Sequence, residues 1–148
     1  MGERELNLER ARNLIGEKCG ELNSISSIYE TAPWGETDQP VFLNQALQII
    51  TSLKPMPLLQ KILDIEKQLG RTRQVKFGPR NIDIDILFYN EERHNDPLLT
   101  IPHPELQYRR FVLTPMNEIA PGFVHPVLKK TIAELLEECP DDLPVNKL

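Results

Sequence analysis

Apolar residues recur along this chain in two rhythms, and the switch between them marks its elements. Over residues 57–69, Leu58, Leu59, Ile62, Ile65 and Leu69 share one face at the helical period, and Gly70 follows as the expected stop. Residues 1–20 repeat that rhythm more weakly through Leu6, Leu8, Ala11, Leu14 and Ile15, closed by Gly20. From Ile82 the period falls to two. Ile82, Ile84, Ile86 and Phe88 take one parity and Asp83 and Asp85 the other, which predicts a strand with both carboxylates on one face. Residues 41–51 read as another strand, with Leu43, Leu47 and Ile49 on one parity and Phe42 and Asn44 on the other. Weaker signals predict a short strand at 25–29, a Pro- and Gly-bearing loop at 31–40 and a polar turn or hairpin at 90–96. A strand at 98–105 runs into a Pro-rich corner holding His103, a helical turn follows at 116–120, and a terminal helix at 131–139 turns Ile132, Leu135 and Leu136 inward. This order of helices and strands predicts an α+β sandwich, an antiparallel sheet with helices packed over it.

Composition narrows the class. The 148 residues suit one domain with its own core, and 40% hydrophobic with 26% charged residues describe a soluble globular chain. Neither a membrane-length apolar run nor a signal sequence is visible, so a cytoplasmic protein with no membrane partner is expected. Cys19 and Cys139 lie far apart in no metal-binding spacing, which predicts two reduced thiols. A formal charge of -5 argues against nucleic acid as the partner. A monomer is expected.

Against that acidic background, one stretch reverses sign. Between Gly70 and Asn81 the chain carries Arg71, Arg73, Lys76 and Arg80 and no acidic residue, and this cationic run leads straight into the Asp83/Asp85 strand. Residues two apart on a strand lie roughly 6.5–7 Å apart, and their carboxylates can close on metals about 3.5–4 Å apart. Magnesium takes few protein carboxylates and completes its shell with water and substrate phosphates. A metal-assisted phosphoryl-transfer site fits; a solvated strand face with acidic residues fits the spacing as well. Phe42 beside Asn44 suits a flat heterocycle, ring on face and amide on edge, although Phe42 alone fits a core position too. Glu66, near the end of its helix, suits a ribose or an arginine, or plain solvent. Arg109 and Arg110 form a second cationic pair beside Phe111. His94 and His125 show no partner pattern and receive no role.

The wording of the central stretch is specific. Lys76-Phe77-Gly78-Pro79-Arg80-Asn81-Ile82-Asp83-Ile84-Asp85-Ile86-Leu87 closely resembles the signature of the 6-hydroxymethyl-7,8-dihydropterin pyrophosphokinases. The similarity extends to Tyr29-Glu30-Thr31-Ala32-Pro33-Trp34-Gly35, to residues 38–44 and to residues 101–111. The resemblance implies a ferredoxin-like αβ sandwich that transfers the diphosphate of ATP to the pterin's hydroxymethyl oxygen and releases AMP. By position it implies two Mg2+ ions on Asp83 and Asp85, the pterin between Phe42 and Phe111, and Asn44 with Thr31 on its polar edge. Glu66, Arg71, Arg73, Lys76, Phe77, Arg80, His103 and Arg109 would meet ATP, with Arg71 and Arg80 serving the transition state. Trp34 and Phe77 depart from the residues usual at their positions. The chain opens Met1-Gly2-Glu3-Arg4-Glu5, which resembles the end of the family's Gly-Ser-Asn loop, so an N-terminally short domain is expected, with a weakened nucleotide- or pterin-binding relative as the alternative. A different metal-nucleotide transferase, such as a sugar-nucleotide enzyme, would share the Asp-x-Asp strand.

Overall fold

The structure, a computed structural model, describes residues 3–31, 42–71 and 82–148. Two compact units form, Met1–Asn23 with Ile49–Ile86, and Ser24–Gln48 with Leu87–Leu148. The fold class is α+β.

In the first unit, helix α1 (Glu3–Lys18) packs on helix α2 (Pro55–Arg71). The predicted apolar face of α2 is the buried one: Leu58, Ile62, Ile65 and Leu69 are in the core, and Ile65 is 0% exposed. Burial of each such side chain contributes about 1.5–3 kcal/mol. Helix α1 differs from expectation, because its buried stripe steps by four through Asn7, Ala11 and Ile15 to Cys19 while Leu6 stays exposed. A weakly amphipathic helix takes its inward face from its neighbour rather than from its own sequence. The two glycines also differ in what they do. Gly20 follows α1, where a Cβ would lie 2.3 Å from the Ile50 carbonyl oxygen, a closeness only glycine permits. Gly70 does not stop α2, which runs on to Arg71.

The predicted strands at 25–29 and 41–51 each break. Strand β1 (Glu21–Ile25) pairs with β4 (Leu47–Ile50), and β2 (Tyr29–Thr31) pairs with β3 (Phe42–Asn44). Buried Ser26 causes the interruption. Its N–H donates to the Ala46 carbonyl at 2.9 Å, its hydroxyl oxygen accepts the Ala46 N–H at 2.9 Å, and its carbonyl accepts the Gln45 amide at 2.7 Å. A side chain replaces one rung of the ladder here, so the pairing continues while the strands stop.

In the second unit, β7 (Val145–Lys147), absent from the sequence expectation, adds to β2 and gives the antiparallel order β3-β2-β7. The hairpin β5 (His94–Asp96) and β6 (Leu99–Ile101) matches the expected polar turn region. Helix α3 (Arg110–Ile119) packs against β2, β3 and β7 and is far longer than the predicted turn at 116–120. Pro115 lies inside it and cannot donate to the Phe111 carbonyl four residues back, which is why the sequence reads as broken there. Helix α4 (Ile132–Glu138) opens on a capping box in which Thr131 and Glu134 bond reciprocally. Its Ile132 and Leu135 join Leu106, Leu113, Met116 and Ala46 in the core. No helix among the described residues is long and apolar enough to cross a membrane.

Candidate active site

The β2–β3 ladder places Tyr29 opposite Asn44 and Thr31 opposite Phe42. Directly opposed residues of an antiparallel pair share a face, so these four side chains lie on one side of the sheet. The Asn44 amide donates to the Thr31 hydroxyl at 3.3 Å across the diagonal, which orients the amide. Phe42 is 56% exposed, and that number decides between the two readings of it: the ring is a surface group, not core.

Helix α3 covers the same face. The Tyr29 hydroxyl donates to Glu118 Oε1 at 2.7 Å, and both Ser27 N–H and Ser27 Oγ donate to the same carboxylate at 3.0 Å. Phe111 precedes Glu118 by seven residues, two helical turns, and therefore looks to the same side of α3. Phe111 thus shares a side of α3 with Glu118, and Phe42 shares a face of the sheet with Tyr29. Burial and then the donation to Glu118 push the Tyr29 phenol up to about 12. The Tyr29 bond, then the Ser27 bonds, hold the Glu118 carboxyl below its ordinary range. Sequence reasoning missed this lock, although the spacing from Phe111 to Glu118 could have suggested it.

The two arginines before Phe111 separate. Arg110 is tied to Asp141, its N–H reaching Oδ2 at 3.1 Å and its Nε the carbonyl at 2.8 Å. Arg109 instead lays its guanidinium 5.9 Å from the Phe111 ring centroid, a cation–π contact. A cation suited to phosphate and a ring suited to a heterocycle therefore share the start of α3.

His103 follows the cis Ile101–Pro102 bond, and its N–H donates to the Leu87 carbonyl at 2.9 Å. Its Nδ1 accepts the Glu105 N–H at 3.1 Å, which leaves Nε2 to carry the proton of the neutral ring. A cleft of about 430 Å³ opens here, within the range of small-molecule sites. Arg93, Thr100 and all three of the chain's histidines line it. His125, given no role from sequence, is buried, accepts the Val127 and Leu128 N–H groups at Nδ1, and is held below its ordinary pKa by that burial. Gln107 also lines the cleft, and its buried Oε1 has no hydrogen-bond partner among the described residues.

The segment 82–88 keeps the predicted alternation but not the predicted strand. Ile82, Ile84 and Ile86 are half-buried while Asp83 and Asp85 are exposed, as carboxylates on one face require. No ladder forms along it among the described residues. The Ile84 N–H goes elsewhere: it donates to Glu66 Oε2 at 2.6 Å. Glu66, expected to meet ATP, thus has a backbone partner in the protein. Groups of three or more metal-ligating side chains are absent among the described residues, so the Asp pair would bind a cation only with other oxygens added. Arg73, Lys76, Phe77, Arg80 and Trp34, with the side chain of Arg71, lie outside the described residues.

The family model described as 7,8-dihydro-6-hydroxymethylpterin-pyrophosphokinase (HPPK) matches residues 1–121. The chain is 45% identical over 122 residues to the 2-amino-4-hydroxy-6-hydroxymethyldihydropteridine pyrophosphokinase of Aquifex aeolicus, covering 82% of this chain and 76% of that one. With the enzyme of the same name from Bacillus subtilis it shares 46% identity over 120 residues, 80% of this chain and 72% of the relative. The Folic acid synthesis protein fol1 of Schizosaccharomyces pombe is 40% identical over 116 residues, which cover 78% of this chain and 16% of that much longer protein.

Proposed function

The chain belongs to the 7,8-dihydro-6-hydroxymethylpterin-pyrophosphokinase family, and we propose that Asp83 and Asp85, the Phe42/Phe111 pair and the His103–Arg109 corner carry its reaction. That reaction passes the terminal diphosphate of ATP to the hydroxymethyl oxygen of the dihydropterin in folate biosynthesis. A bond forms from that oxygen to the β-phosphorus, the β-phosphorus bond to the α-bridging oxygen breaks, the hydroxyl proton is released and AMP departs.

One observation carries the reading: exposure alternates along 82–86, leaving two hard carboxylates on one face. That donor set fits magnesium, which takes one or two carboxylates and fills its octahedron with water and phosphate oxygens. Two Mg2+ ions held by Asp83, Asp85 and ATP would neutralise phosphate charge and lower the alcohol's proton affinity. The other groups bind and orient. Phe42 and Phe111 stack the pterin ring, while Asn44 and Thr31, already bonded to each other, present the amide to its polar edge. His103 and Arg109 donate to phosphate oxygens, and the cationic run Arg71, Arg73, Lys76 and Arg80 adds the charge that a loose phosphoryl transition state needs. The cleft beside His103 suits part of the nucleotide.

The test is AMP release from ATP and Mg2+ by the full chain, with and without 6-hydroxymethyl-7,8-dihydropterin. Pterin-dependent AMP, lost in Asp83→Ala and Asp85→Ala, is expected. ATP and pterin binding with no AMP formed would overturn the assignment of chemistry to these residues.

A further inference from the structure

The bond from Ile84 to Glu66 has a use beyond holding two elements together. Ile84 stands between the two aspartates, and its N–H belongs to the peptide that joins it to Asp83. Fixing that N–H orients one of the two peptide planes that lie between the carboxylate-bearing residues, and so restricts how the pair can be set. In a paired strand a neighbour's carbonyl would do this. Along 82–88 no ladder is present among the described residues, and the acceptor is instead a half-buried carboxylate 2.6 Å away. The support behind Glu66 is rigid, since Ile65 is 0% and Leu69 2% exposed in the α1–α2 core. A charged acceptor also makes a stronger bond than a carbonyl.

We propose that Glu66 is a positioning residue for the reaction, setting the Asp83/Asp85 pair through the Ile84 amide rather than serving as a ligand of the nucleotide ribose. The proposal rests on the reading of Asp83 and Asp85 as the cation-holding pair.

Three full-chain variants separate the possibilities: Glu66→Ala, Glu66→Gln and Asp83→Ala. Two readouts apply, Ile84 amide hydrogen exchange in metal-free protein by NMR, and calorimetric Mg2+ titration in the presence of a non-hydrolysable ATP analogue. Glu66→Ala should speed Ile84 exchange roughly tenfold to a hundredfold, from loss of a charge-assisted bond. It should also weaken Mg2+ binding and lower kcat while leaving the KM for pterin unchanged. Glu66→Gln, which keeps an acceptor oxygen, should retain most of the Ile84 protection and recover part of the Mg2+ affinity. Wild-type Ile84 exchange and Mg2+ affinity in Glu66→Ala, with only ATP affinity reduced, would overturn the proposal in favour of a ribose contact. Undiminished Mg2+ binding in Asp83→Ala would instead remove the underlying reading, and with it any positioning role toward a cation, even if Glu66→Ala still exposed the Ile84 amide.

Discussion

The parts of the candidate site proposed to face the pterin and the cation are ordered by different means. Around Thr31, Phe42 and Asn44, backbone rungs between β2, β3 and β7 set the positions, and α3 is fastened over them by three bonds to Glu118. Around Asp83 and Asp85 there is no ladder among the described residues, and the bond from the Ile84 N–H to Glu66 ties the segment to α2. The difference follows what each part must hold. A flat ring needs a surface fixed before it arrives, because stacking has little directional tolerance. A pair of carboxylates must draw together on a cation, which a segment outside a strand ladder permits.

The largest expected effect tests the cation-facing part alone. Asp83→Asn or Asp85→Asn keeps size and removes charge, so AMP formation should fall roughly a thousandfold, the loss of several kcal/mol of charge stabilisation. Pterin binding, measured by fluorescence titration without ATP, should be unchanged. An equal loss in pterin affinity would mean that the two parts are not built separately. A smaller effect of the opposite kind is expected from Phe42→Ala and Phe111→Ala. Each removes one stacking face worth about 1–3 kcal/mol, so the KM for pterin should rise roughly 5- to 150-fold. The Mg2+ concentration for half-maximal rate should not move, and a shift in it would argue that the rings act on ATP instead.

How much of this was legible before the structure depended on where each element gets its order. Helix α2 was readable because its own periodicity decides its buried face. The Asp83/Asp85 alternation was readable for the same reason, but the missing ladder was not, since a strand exists only with a partner. Strand β7 shows the converse: Val145–Lys147 has no strand pattern worth reading and becomes one through pairing with β2. The break at Ser26 and Ala46 rests on one hydroxyl taking a backbone rung, which no period reveals. In the site, residue types at 42, 44 and 111 pointed to a ring, whereas the exposure of Phe42 and the lock from Tyr29 to Glu118 needed the packed chain.

That lock gives the smallest and most easily shaped prediction, a dependence of stability on pH. The Tyr29 phenol is raised to about 12, by burial first and by Glu118 second. The stability it contributes is complete below the ordinary tyrosine value of about 10 and declines as pH rises toward the folded value. Glu118 is lowered, chiefly by the Tyr29 bond, so its contribution is complete above the ordinary carboxylate range and declines as pH falls through the folded value. Between those limits Tyr29→Phe should cost about 1 kcal/mol and lower Tm by roughly 2–4 °C at this chain length. It should flatten the alkaline limb and shrink the acid one, whereas Glu118→Gln should remove the Glu118 share of the acid limb and leave burial and a neutral hydrogen bond to hold the phenol up. Because α3 carries Phe111, both variants should also loosen the pterin and leave the Mg2+ response alone. A Tm loss in Tyr29→Phe with no change in pterin KM would show that β2 and β3 hold the ring site unaided, and that α3 is fastened for stability only.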